Sequence, residues 1–156
     1  MKINIISLGK IKEKYFKDCM DEYTKRLTSY CSLVKTELED EKLLVSQKEE
    51  FFKMKEGEKI LKVLNTKSYK IALSERGKNL TSEEFADFIK NITNNGYSEI
   101  SFIIGGALGL SEEVLNKSDY KLSLSKMTFT HQMVYSFLLE QIYRAFKIMN
   151  NEPYHK

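Results

Sequence analysis

The chain has no tryptophan, one proline, two cysteines and seven glycines in 156 residues. So little proline and glycine excludes collagen-like and linker-type repeats, and 42% hydrophobic residues exclude a disordered chain. Two cysteines cannot build a disulfide scaffold. Cys19 and Cys31 read as reduced structural thiols, although their spacing alone also permits a bridge. These cysteines and the two histidines lie scattered without ligand spacing, so no metal centre is expected. Charge of one sign is lacking too: 25 Lys and Arg against 22 Asp and Glu leave a net +3 and a pI near 8.7. That excludes a polybasic tail as the basis of function and neither demands nor excludes a nucleic-acid partner. No run approaches the roughly 18–20 apolar residues of a membrane span. The apolar opening reaches Lys10 too soon for a secretion signal, and a cytoplasmic protein is expected. At about 150 residues per domain, residues 1–156 make one domain.

What is present alternates in period. Lys2 to Leu8 is Ile-rich and reads as a strand. Tyr15, Phe16, Met20, Tyr23 and Leu27 recur at three- and four-residue steps, an amphipathic helix from about Glu13. A second strand spans Cys31 to Leu38, Lys42 to Val45 read as a loop, and a helix carries Phe51, Phe52, Met54, Ile60, Leu61 and Leu64. The acids from Glu37 to Glu58 (Glu56 among them) read as a solvated face. Tyr69 to Leu73 is a strand, Ser74 to Lys78 a turn, and Thr81-Ser82-Glu83-Glu84 a capping box that opens a helix closed by Asn94-Asn95-Gly96. Ile100 to Ile104, a short helix from Ser111, Tyr120 to Leu124 and a helix from His131 to Met149 complete the chain. The alternation predicts one α/β domain, a mostly parallel sheet with helices on both faces.

Three segments break this pattern. Gly105, Gly106 and Gly109 follow a strand, where open sheets bind ligands, but without nucleotide-fingerprint spacing. A ligand loop and a tight turn both remain open. Leu122 to Gln132 is rich in small hydroxyls, which serve either as helix caps or as a second ligand loop. His131, beside it, reads first as a hydrogen-bonded structural histidine. The last helix is apolar around more than one stripe about 100° wide, at Met133, Val134, Phe137, Leu138, Leu139, Ile142, Tyr143, Ala145, Phe146, Ile148 and Met149. Packed on its own sheet through one face, it would need a second chain for the other, which predicts a homodimer.

Several ordered blocks are shared with one family: Gly9 to Tyr15, Glu22 to Leu27, Glu56-Gly57, Gly77-Lys78, Phe102 to Gly109, Leu124 to Phe129, His131-Gln132, Glu140 to Ala145 and Pro153 to Lys156. Through them the whole chain resembles the small SPOUT-class methyltransferases that methylate N3 of a pseudouridine in 23S ribosomal RNA. The resemblance implies a C-terminal trefoil knot, a rare exception to unknotted topology. It implies an S-adenosylmethionine site walled by Leu73, Gly105, Leu124, Ser125, Lys126, Met127, Thr128 and Phe129. It also implies homodimers. Ser74 stands where an acid commonly occurs, Thr130 replaces a frequent Pro, and Tyr135 replaces a frequent Arg.

The chemistry so implied is tractable without a metal. The N3 proton of pseudouridine lies between two carbonyls, so the nitrogen is mostly protonated at neutral pH and needs positioning and help with proton loss. Histidine is the side chain matched to that task. His155, with Tyr154, has no evident core to join at the chain end and is expected at the nucleotide, acting from one subunit onto the cofactor of the other. Lys10, Lys12, Lys14 and Lys17, with Lys126, Arg144, Lys147 and Lys156, supply the local charge for ribosomal RNA, read on a folded ribosomal particle. Two other readings compete: an RNA-binding adaptor without cofactor, and a methyltransferase of the same class acting on another RNA.

Overall fold

The structure, a computed structural model, describes residues 1–41 and 48–155. The loop expected at Lys42 to Val45 lies outside the described residues, as does Lys156. Ten elements alternate: β1 (Lys2–Leu8), α1 (Lys14–Leu27), β2 (Ser32–Leu38), α2 (Glu49–Val63), β3 (Tyr69–Asn79), α3 (Ser82–Asn94), β4 (Glu99–Ile104), α4 (Glu112–Lys117), β5 (Tyr120–Ser123) and α5 (His131–Met149).

Capping chemistry sets several boundaries. Thr81 Oγ1 accepts from Glu84 N at 3.1 Å while Glu84 Oε2 accepts from Thr81 N at 2.8 Å, the reciprocal box that starts α3. Ser111 caps α4 and Thr130 caps α5, each hydroxyl accepting the amide three residues on. Thr130 thus supplies a side-chain acceptor that a proline there would lack.

All strand pairs are parallel, in the order β2-β1-β4-β3-β5. β4, at the centre, is buried at every residue from Glu99 to Ile104. Ile3, Ile5, Ile71, Ile100 and Phe102 pack under α1, α3 and α5, whereas Ile6, Leu8, Ala72 and Ile103 pack under α2 and α4. Connections that step one way along the sheet carry helices on one face and those that step back carry them on the other, as a constant crossover hand requires. The outcome is a single α/β domain of three layers.

Three expectations are corrected. Ser74 to Lys78 is not a turn that ends the strand: it lies inside β3, where the register shifts so that Leu73 and Lys78 both face Leu122. Glu56 does not belong to a solvated face; it is only 5% exposed. Lastly, α5 does not rest on the sheet alone. It packs between α1 and α3 as well, and Val134, Tyr143, Ile148 and Met149 are absorbed by its own chain.

Candidate functional site

A cleft of about 600 Å³ opens at the register shift of β3 and the carboxyl ends of β4 and β5, within the range of small-molecule sites. Leu73, Ile104 and Leu122 reach it from those strands, and the loops Gly105–Leu110 and Leu124–His131 wall it, Lys126 excepted. Of the eight residues expected around a cofactor, Leu73, Gly105, Leu124, Ser125, Met127, Thr128 and Phe129 line the cleft. Lys126 is exposed and does not.

The glycine loop serves both readings at once. Gly109 N donates to Gly106 O at 3.0 Å, closing a turn. A Cβ on Gly105 would stand 2.8 Å from the Gly109 carbonyl carbon, so the turn can fold back only on a glycine. The hydroxyl loop is likewise built by its own side chains. Ser123 Oγ donates to Ser125 O at 2.8 Å, and Ser125 Oγ accepts from Met127 N at 3.0 Å. Thr128 Oγ1 donates to Glu75 Oε2 at 2.7 Å across the cleft mouth. Glu75 lines the cleft beside Ser74, so an acid is present one residue along from the position where Ser74 replaces one. Glu75 was not foreseen; only its place beside the β3 register shift brings it in.

Two α5 residues depart from expectation. His131 lines the cleft with its ring against Gly9, and its buried Nε2 has no hydrogen-bond partner. It is packed rather than hydrogen-bonded at that atom. Tyr135 is 1% exposed in the core, and burial raises its pKa well above the ordinary phenol value. At that depth it makes no surface contact.

Behind the glycine loop, Glu56 Oε1 accepts from Glu41 N at 3.0 Å while Oε2 is buried with no partner among the described residues. Burial raises its pKa above the ordinary carboxylate value.

The chain end is held elsewhere. Tyr30 donates to Glu152 at 2.6 Å, and Lys147 pairs with the same carboxylate. The Tyr154 ring meets Tyr143 edge-on at 4.9 Å and lies 4.7 Å from the Arg144 guanidinium, while its hydroxyl donates to Glu140 at 3.1 Å. His155 Nε2 is 2.7 Å from Glu83, and Arg144 is 3.3 Å from Nδ1. The expectation that this tail has nothing to join is therefore corrected: it docks on α1, α3 and α5. Desolvation and the neighbouring Tyr23 hydroxyl push the Tyr154 phenol up, and backbone amides, then His155, hold Glu83 below the ordinary carboxylate value. Neither Tyr154 nor His155 lines the cleft of its own chain. From His131 to Arg144, α5 rises about 20 Å.

Lys10, Lys12, Lys14 and Lys17 are all exposed. Lys10 pairs with Glu39 and Lys14 with Asp18. Both cysteines are free, and burial pushes the Cys31 thiol up to about 11. Among the described residues, no helix is long and apolar enough to cross a membrane.

Comparison with known proteins matches residues 1–155 to the family described as "Predicted SPOUT methyltransferase". Over 159 aligned positions, covering both chains completely, the chain is 56% identical to the "Ribosomal RNA large subunit methyltransferase H" of Clostridium botulinum (strain Kyoto / Type A2). It is 53% identical, again over the full length of both, to the "Ribosomal RNA large subunit methyltransferase H 1" of Clostridium perfringens (strain SM101 / Type A).

Proposed function

The chain belongs to the SPOUT methyltransferase family, and from that premise we propose that it transfers a methyl group from S-adenosylmethionine to N3 of a pseudouridine in large-subunit ribosomal RNA, in the cytoplasm and on assembled ribosomal particles. The observation that carries this reading is the cleft at the β3 register shift and the carboxyl ends of β4 and β5, set beside full-length similarity to relatives named for large-subunit ribosomal RNA. The family implies the C-terminal knot.

The residues present fit the cofactor. Leu73, Ile104, Leu122 and Leu124 offer an apolar bed, and the Gly105–Gly109 turn brings backbone close to it. Glu75, steadied by Thr128, adds a carboxylate suited to a cationic ligand. When bound, S-adenosylmethionine supplies an electrophilic methyl group on a good leaving group. The chain's own tasks are to exclude water and to bring the nitrogen within roughly 3–3.5 Å in line.

His155 suits proton acceptance. With Nε2–H donated to Glu83, the ring's lone pair lies on Nδ1, where it accepts from Arg144; as the imide takes that place, the displaced guanidinium offers a cation to the ionising imide or a neighbouring phosphate. Because tail and cleft are apart within one chain, the tail is assigned to the cleft of a second copy. Met127 and Phe137, 71% and 41% exposed, flank the cleft mouth with Phe129 and form the apolar face for that homodimer.

The test is methyl transfer from labelled S-adenosylmethionine to large subunits purified from cells lacking the modification, with intact ribosomes and naked RNA alongside. Label in N3-methylpseudouridine is expected. Label in another nucleotide, or none in any particle, would overturn the reading.

A further inference from the structure

The side chain of Gln132 lies one residue past the cleft wall and turns away from it. Its Oε1 accepts from Lys12 N at 2.9 Å and from Glu13 N at 3.4 Å, at the entry to α1. These are the amides just before α1 and at its N-cap Glu13, which makes no side-chain capping bond of its own, so Gln132 ties down the approach to the helix. A second contact runs alongside. Gly9, at φ +87°, lies flat against the His131 ring, and a Cβ there would stand 3.1 Å from Nε2. Residues 9–13 are thus clipped at both ends to the first two residues of α5. Those two residues continue the loop that walls the cleft. The clipped segment carries Lys10 and Lys12 and leads directly to Lys14 and Lys17, all exposed.

We infer that Gln132 is a positioning residue for the substrate RNA: it fixes the lysine segment at the entry to α1 relative to the cleft, so that the phosphate contacts of that segment and the reacting nucleotide keep one register. The inference rests on the proposed RNA substrate. Gln132 is not a cleft residue and touches no reacting atom. What it supplies is an acceptor for two successive amides of the segment that must meet the backbone of the RNA. Without that acceptor the lysines keep their charge and lose their place.

The experiment is equilibrium binding of large ribosomal subunits by the full chain and by three variants, Gln132→Met, Lys12→Met and the double variant, at several salt concentrations. Methionine keeps the length of Gln132 and removes its acceptor. Gln132→Met is expected to weaken particle binding about fivefold, the equivalent of losing one net hydrogen bond, and to flatten the salt dependence. Lys12→Met is expected to cost the wild-type chain several-fold yet to add little in the Gln132→Met background, a coupling that mere destabilisation would not produce. Amide exchange at Lys12 and Glu13 should quicken in Gln132→Met while β4 stays protected, which checks the fold. Equal binding by Gln132→Met and wild type, or independent effects of the two substitutions, would overturn the inference. A Gln132 effect on binding without methyl transfer by the wild type would refute the proposed function and keep this inference. Methyl transfer with no Gln132 effect would do the reverse.

Discussion

At Tyr135 a phenol hydroxyl sits in the core with no partner among the described residues, a position where a hydroxyl costs more than it returns. Tyr135→Phe is therefore expected to raise stability by about 1 kcal/mol, read as a shift of the urea midpoint at constant slope. A lower midpoint would mean that the hydroxyl is satisfied by a group the packing does not reveal. At Gly105 the argument runs the other way. Gly105→Ala forces a Cβ into the backbone of Gly109 and Leu110, so a loss of about 2 kcal/mol is expected together with loss of calorimetric S-adenosylmethionine binding. Wild-type affinity in that variant would remove the glycine turn from the site. Single residues were unevenly legible in the sequence. Spacing shows that Tyr135 shares a helical face with Leu138, Leu139 and Ile142, so its burial could have been read there. Glu56 shares a helical face with Phe52 and Ile60, but a carboxylate on such a face ordinarily turns to solvent, and only the fold of α2 against the glycine loop takes it out of water.

Among the elements, the chain end docks on α1, α3 and α5 through polar and aromatic contacts and is expected to release as a latch before the core unfolds. Glu152 of the tail is held below the ordinary value of 4.5 by Lys147 and Tyr30, and Glu83 of α3, lowered first by its own backbone amide, is lowered further by His155 of the tail. A depressed folded-state pKa stabilises docking above the unfolded value and loses that stabilisation as pH falls through the folded one. The tail is thus expected to stay docked at neutral pH and to release below about pH 4.5, which NMR signals of Tyr30 and Tyr154 would report while core signals persist. Tail signals that change only with global unfolding would contradict the latch. Element boundaries were the most legible layer, because caps such as the Thr81–Glu84 box and the period of α5 are local. The reach of β3 past Ser74 was not, since its continuation depends on pairing with β5, nearly fifty residues later in the chain. Nor could periodicity reveal that α1 and α3 flank α5; it reported only that the helix is covered on more than one side.

For the whole molecule, the function was legible through motif blocks along the entire chain rather than through charge or periodicity, which establish an α/β domain and little more. What those blocks do not convey is distance. The cleft gathers at one end of the sheet, while Tyr154 and His155, the residues proposed to act at the nucleotide, dock beyond it along α5 and α3 and do not meet it within one chain. The central claim is that a homodimer joins them, with the cofactor cleft of one subunit served by the tail of the other. His155→Ala is expected to lower single-turnover methyl transfer roughly 100-fold at saturating ribosomes, the scale of a lost general base. Its cofactor affinity should be unchanged, because the cleft of each chain is walled by that chain's own residues and His155 is assigned to the nucleotide. The most direct measurement unfolds and refolds Gly105→Ala and His155→Ala chains together and assays methyl transfer to large subunits. Each variant alone should be close to inactive. Random pairing should restore roughly a quarter of wild-type activity, because about half the dimers are mixed and each mixed dimer holds one intact composite site. A mixture no more active than its parts would contradict the account, and so would a fully active monomer.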